Sequence, residues 1–203
     1  MTEGSDHAGA ALPADPDQHF LVNRAVIDTL IAAADLRADS VVTELGAGAG
    51  TVAALMPPVA QLDLIELDPA LCDVLTARFS SRQNVRIRCE DALDVLAREH
   101  ACYDAIFSNL PAELTPRVLD ALAAASRVGA NAPDARPQPS PRRQTPPRVA
   151  IVAAPASLDL SPWATWLDLS PIATAQGDDF DPPQPFETIY LRVSSRKGMA
   201  NLS

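Results

Sequence analysis

Four short stretches carry side chains whose types and spacing suit chemistry. Gly46, Gly48 and Gly50 alternate with alanine directly after the apolar run VVTEL (41–45), with Glu44 near the end of that run. Glu66 lies at the end of LDLIEL (62–67), and Asp91, preceded by Glu90, follows VRIRC (85–89). Asn109, Leu110 and Pro111 close the run YDAIFSNL (103–110) and its successor. A glycine-rich turn lets a backbone approach a ligand closely. A carboxylate at the second position can accept from both hydroxyls of a ribose, and one at the third from an adenine amino group. The asparagine and the backbone beside it can accept from an amine.

Each stretch also has an ordinary structural reading. Glu66 or Asp91 can cap a helix, and Pro111 can end a strand. Taken together and in this order, they point to S-adenosylmethionine. A dinucleotide cofactor is the natural rival, but G-x-G-x-x-G would need glycine where Thr51 stands.

These residues need a scaffold that brings them to one edge. FLVNRAVIDTLIAAADL (20–36) has helical apolar spacing, including Val26, Ile27, Leu30 and Ile31. After the strands 41–45 and 62–67, DPALCDVLTARF (68–79) predicts a helix capped by Asp68. VRIRC alternates as a strand, DALDVLARE (91–99) predicts a short helix, and 103–110 a buried strand. LTPRVLDALAAASR (114–127) predicts a helix with Thr115 as cap before Pro116. RVAIVAAP (148–155) is a strand, and SPWATWLDL (161–169) a short amphipathic cover for the sheet. PIATAQ (171–176) and FETIYLRV (186–193) have only the turn-rich GDDFDPPQP between them and should pair antiparallel. Strands alternating with helices predict an α/β fold. It is a Rossmann-like, seven-stranded, mostly parallel sheet with a terminal antiparallel hairpin.

Composition narrows the function. The 203 residues are 47% hydrophobic, enough for the core of one domain, and no run approaches the roughly 18 apolar residues of a membrane span. The formal charge is −10, which argues against broad phosphate binding. Fifteen of the 16 basic residues are Arg, with Lys197 the only Lys. Residues 128–147 hold six prolines and three arginines, so they read as a solvated loop rather than a phosphate clamp. Residues 1–16 read as a flexible acidic leader without the features of a secretory signal, and 194–203 as a tail. Cys72, Cys89 and Cys102 lack metal or redox spacing and read as separate reduced thiols, and His7, His19 and His100 form no ligand pattern.

Several motifs resemble those of the ribosomal RNA adenine N6-dimethyltransferases, the family of KsgA and the Erm resistance enzymes. DQHFL (17–21) is similar to G-Q-N/H-F-L, with Asp17 for Gly, and ELGAGAG to E-I-G-x-G-x-G. IELD (65–68), EDAL (90–93) and SNLP resemble the family's acidic strand end, its G-D-A or Q-D-A, and the start of N-L-P-Y. FDPPQPFETIYLRV (180–193) resembles F-x-P-x-P-K-V-D-S-x-V-x-x-L.

The resemblance covers 17–193 and implies a single S-adenosylmethionine-dependent methyltransferase domain. It implies cofactor contacts at Gln18, His19, Leu21, Glu44, Gly46, Gly48, Glu66, Asp91, Ala92 and Asn109. It implies methyl transfer to an amine held by Asn109, Leu110 and Pro111, with ribosomal RNA as partner and no metal. Transfer is then an in-line displacement governed by positioning and electrostatics, without a general base.

Three departures weaken the RNA half. Ala112 replaces the aromatic that stacks on the target base, with Phe180 or Trp163 as candidate substitutes. Pro185 and Phe186 replace Lys-Val, and the sequence ends about where the resemblance places the family's C-terminal helical domain. Alternatives are therefore a small-molecule, protein or phospholipid-headgroup acceptor, or a non-catalytic binder of the same cofactor. A cytoplasmic monomer is expected.

Overall fold

A computed structural model describes residues 18–130 and 147–196, apart from the side chains of 128–130. The leader, Asp17, most of the proline-rich segment and residues 197–203 lie outside the described residues.

The described residues begin with a two-residue strand, β1 (Phe20–Leu21), and helix α1 (Arg24–Ala34). Asn23 caps α1, its side chain accepting from the backbone of Ala25 and Val26. Then follow β2 (Val41–Leu45), α2 (Thr51–Leu55), β3 (Gln61–Glu66), α3 (Pro69–Arg78), β4 (Val85–Cys89), α4 (Ala92–Glu99), β5 (Ala105–Ser108) and α5 (Thr115–Ala130). The last part comprises β6 (Val149–Pro155), β7 (Leu167–Ala175), β8 (Phe180–Asp181) and β9 (Thr188–Ser195).

Seven strands form one sheet in the order β4-β3-β2-β5-β6-β9-β7. The β3–β4, β2–β3, β2–β5 and β5–β6 pairs are parallel, whereas β9 runs antiparallel to both β6 and β7. This is the expected mostly parallel sheet with its terminal hairpin. Burial on both faces explains the unbroken apolar run of β6, in which six of seven residues are buried. One core joins α1 and α2 to one face through Ile27, Leu30, Val52 and Phe107. The other packs α4 and α5 through Leu96, Val118, Leu119 and Leu122.

A polar staple ties β4, an edge strand, to its neighbours. Asp63 is fully buried, accepts two bonds from the Arg86 guanidinium at 2.9 and 2.7 Å, and accepts from the Tyr103 hydroxyl at 3.0 Å. Asp63 and Arg86 are register partners on β3 and β4.

Four local expectations need correction. Thr115 does not cap α5: its hydroxyl donates to the Ala153 carbonyl at 3.1 Å, and a short 3-10 turn (Ala112–Leu114) leads into the helix instead. The helix runs to Ala130, past the predicted loop start at 128. β7 starts at Leu167, four residues before the predicted strand, because only turns precede it in 161–166. Its inward alternation is weak because it is an edge strand. Finally, Cys72 and Cys89 form a disulfide pair, with Cα atoms 5.9 Å apart, rather than separate thiols. The crossover from β3 through α3 to β4 sets one beside the other, which spacing along the chain does not reveal.

Candidate functional site

In a parallel sheet, the loops leaving the carboxyl ends of adjacent strands gather along one edge. Here those loops follow β2, β3, β4 and β5. They wall a cleft of about 760 Å³, closed on the far side by Gln18–Leu21 and by residues between Phe180 and Thr188. The twelve residues read from sequence as holding the cofactor or the amine all line it: Gln18, His19, Leu21, Glu44, Gly46, Gly48, Glu66, Asp91, Ala92, Asn109, Leu110 and Pro111.

The glycine turn is built for close approach. Gly46 and Gly48 have φ of 71° and 55°, a left-handed backbone that disfavours side chains. A Cβ on Gly46 would come within 2.7 Å of the Leu110 side chain, and one on Gly48 within 2.7 Å of the Phe20 ring.

Glu66 anchors this turn from β3. One of its carboxylate oxygens accepts from Gly48 N at 2.8 Å; the other accepts from Leu67 N at 2.8 Å and Asp68 N at 3.0 Å. Its carboxylate is thereby fixed at the wall of the cleft with acceptor capacity left over. Asp91 does cap α4, accepting from Leu93 N at 2.7 Å and Asp94 N at 3.2 Å, and it faces the cleft as well. The capping reading holds, and the cap leaves the residue at the cleft wall.

The two stretches most distant in sequence meet here. β1 pairs antiparallel with β8, setting Phe20 opposite Asp181 and Leu21 opposite Phe180. His19 Nδ1 donates to the Pro182 carbonyl at 2.9 Å, and Val22 N to the Asp179 carbonyl at 2.8 Å. The turn-rich GDDFDPPQP is thus part of the cleft wall.

Two buried oxygens in the lining have no hydrogen-bond partner among the described residues: Gln18 Oε1 and Glu44 Oε2. An unpaired buried polar atom costs free energy, so a ligand with matching polar groups would satisfy what the protein leaves open. The Glu44 carboxyl is pushed up to about 8 from its ordinary 4.5. Burial is the main cause and nearby Glu66 adds to it, while the Ala53 backbone N–H opposes it.

Aromatic faces differ from expectation. Trp163 lies away from the cleft, buried against α5 with its indole N–H donating to Asp120 at 2.8 Å, so it cannot replace the missing ring at Ala112. Phe180 lines the cleft but is 4% exposed, whereas Phe186 lines it at 44% exposure. Phe186 and Tyr190, which bonds Asn109, were not legible as site residues. An exposed aromatic at a loop position was the only sequence signal for the first, and none existed for the second. The lining includes Glu44, Glu66, Asp68, Asp91 and Glu113, and among the described residues no Lys or Arg. No group of three or more His, Cys, Asp or Glu residues suited to a metal occurs among the described residues. Nor is any described helix long and apolar enough to cross a membrane.

A sequence model described as Ribosomal RNA adenine dimethylase matches residues 14–132, more than half of the chain. The chain belongs to the ribosomal RNA adenine dimethylase family. Curated relatives in that family include the probable ribosomal RNA small subunit methyltransferase A of Methanosarcina barkeri. It is 42% identical over 103 residues, which are 50% of this chain and 35% of that protein. The ribosomal RNA small subunit methyltransferase A of Dehalococcoides mccartyi is 35% identical over 106 residues, 50% of this chain and 36% of the relative. Matches thus span about a third of each relative's length.

Among solved structures, the 23S rRNA methyltransferase ErmE superposes with a TM-score of 0.69 at 18% identity, covering 91% of this chain and 72% of ErmE. A dimethyladenosine transferase from Plasmodium falciparum gives 0.68 at 15% identity, covering 88% and 64%. At these identities the likeness is one of fold, the Rossmann-like fold of methyltransferases. The family match ends before β6, so the β8–β9 wall rests on geometry alone.

Proposed function

We propose that residues 17–193 form an S-adenosylmethionine-dependent methyltransferase domain that acts on the amino group of an adenine in ribosomal RNA. The observation that carries this reading is the convergence of Gly46, Glu66, Asp91 and Asn109 on one cleft at the carboxyl ends of four strands. Family membership supports the choice of chemistry, since the curated relatives are ribosomal RNA methyltransferases.

The cofactor fits the residues present. Gly46 and Gly48 bring side-chain-free backbone to the cleft wall, and Gln18 and Glu44 each offer an unpartnered oxygen. Glu66 would accept from the ribose hydroxyls and Asp91 from the adenine amine. His19, Leu21 and Ala92 would line the remaining contacts, with Gln18, Glu44 and Gly48 beside them. When bound, the cofactor supplies a methyl group on a positively charged sulfur.

The chain's part is to present a nucleophile to it. Asn109 Oδ1 and the backbone beside Pro111 accept from the target amine and turn its lone pair toward the methyl. Leu110 packs against the glycine turn. This is catalysis by orientation, and it needs no general base in the transfer itself.

The cleft wall offers amides, carboxylates and three phenyl rings, and its described residues include no Lys or Arg. It is therefore suited to reading a base rather than a phosphate, and we assign base stacking to Phe186 in place of residue 112. Cytoplasmic location and a monomeric state accompany this reading. Methyl transfer from labelled cofactor to ribosomal RNA, with immature small subunits as a second substrate, tests it. Cofactor binding without transfer to either substrate would refute it in favour of the small-acceptor or non-catalytic alternative.

A further inference from the structure

Asn109 has a partner that no motif announces. Tyr190 lies on β9, 1% exposed, and its hydroxyl donates to Asn109 Oδ1 at 3.0 Å across 81 residues of sequence. The ring reaches β5 from two strands away. Its register partners are Ala153 on β6 and Ala173 on β7, so neither neighbour competes for the space. β7 is irregular between Pro171 and Ala173, at this same level. In the motif that resembles 180–193, the position of Tyr190 carries Val, which has no hydroxyl. The contact therefore belongs to this chain rather than to the motif.

Beside Asn109, a second, small space of about 10 Å³ is lined by Glu44, Ser108, Asn109 and Tyr190 among others. Burial drives the phenol's pKa upward, first by desolvation and then through Asp179 and Glu44, so the hydroxyl keeps its proton and can donate.

A carboxamide can turn over, exchanging its oxygen for its NH2 group. An amine facing that NH2 group would meet a donor instead of an acceptor. We propose that Tyr190 is a positioning residue. It holds the Asn109 carboxamide with the oxygen bonded on one side and its second lone pair free for the N–H of the methyl acceptor. The catalytic consequence rests on the reading of Asn109 as the amine-binding residue; the pinning of the carboxamide does not. Small neighbours on both flanking strands are what allow a ring from β9 to serve a loop after β5.

Tyr190→Phe removes only the hydroxyl and keeps the ring that fills the space between Ala153 and Ala173. We expect its melting temperature and its affinity for S-adenosylhomocysteine to stay near wild type. With ribosomal RNA as acceptor, kcat should fall about three- to tenfold, the worth of one neutral hydrogen bond, while the KM for the cofactor is unchanged. A 15N-labelled chain supplies a readout independent of turnover. The Asn109 side-chain NH2 signals, assigned by their loss in Asn109→Ala, should be rigid in wild type. In Tyr190→Phe they should shift and lose their rigidity.

Unchanged NH2 signals in Tyr190→Phe would overturn the pinning. An unchanged kcat, or a loss confined to cofactor affinity, would overturn the positioning role. Absence of turnover in the wild type would refute the proposed function instead, and the NH2 signals would then decide the pinning alone.

Discussion

Replacing Glu44 by glutamine isolates the energetic cost of the carboxyl buried beside the glycine turn. Glu44 is 3% exposed, and its carboxyl is raised from an ordinary 4.5 to about 8, chiefly by burial. The folded chain thus holds this proton more tightly than the unfolded chain. Its contribution to stability is fully present below about pH 4.5 and is lost as the pH climbs toward 8. At about 1.4 kcal/mol per pH unit, the whole window corresponds to about 5 kcal/mol. Between pH 5 and pH 9, about 4 kcal/mol of that should appear. This is a large part of the 5–15 kcal/mol typical of a domain.

The substituted glutamine has nearly the same volume and does not titrate, so the stability of Glu44→Gln should lack this descent. Any fixed cost of the new amide cancels when one variant is followed across pH. The assay is urea unfolding of both proteins without ligand at pH 5, 7 and 9. The stability difference, Glu44→Gln minus wild type, should rise steadily with pH, most steeply between 5 and 8. Parallel stability curves would refute the argument, because they would mean that the carboxyl is ionised in the folded chain or reached by water.

Three other perturbations probe the cleft and its scaffold. Asp91→Asn keeps a residue able to cap α4 while removing the charge, so affinity for S-adenosylhomocysteine by calorimetry should fall about tenfold or more with little change in melting. An affinity within twofold of wild type would remove Asp91 from the site. Phe186→Ala should lower kcat/KM on ribosomal RNA by about 5- to 150-fold, the worth of one base–aromatic stack, and adding Ala112→Tyr should restore much of it. Failure of the second substitution to rescue would separate Phe186 from base stacking. Arg86→Ala leaves the fully buried Asp63 without its two-pronged partner and should cost about 3 kcal/mol in urea unfolding. That is the lower end for a broken buried pair, because Arg86 is itself half exposed and Tyr103 still donates to Asp63. A loss under about 1 kcal/mol would make the pair a surface contact in energetic terms.

Local patterns carried much of the fold. The β2 strand ran at 41–45 as its apolar run and the following glycines required. Asp68 capped α3 ahead of Pro69, and Asp91 capped α4. These features depend on neighbours in sequence, whose hydrogen bonds and periodicity are legible without a tertiary structure. Even the cleft was legible, since the carboxyl ends of parallel strands converge by topology. The edge strand β7 begins four residues before its pattern suggests because, with one side unpaired, its burial imposes little alternation. A threonine before proline looks locally like a cap, because its distant partner, the Ala153 carbonyl, has no trace in local sequence.

By itself, then, the sequence determined which groups stand at the carboxyl ends of the strands and in what order along the chain they occur. Only the tertiary structure decided their company. It paired β1 with β8, took Trp163 out of the cleft and left Phe186 at its mouth. It also set Cys72 against Cys89 and the Tyr190 hydroxyl on Asn109. The physical reason is common to all of them: each is a contact between residues brought together by strand order and crossover. Residue type and spacing record what a side chain can do, whereas packing selects the partner with which it does it.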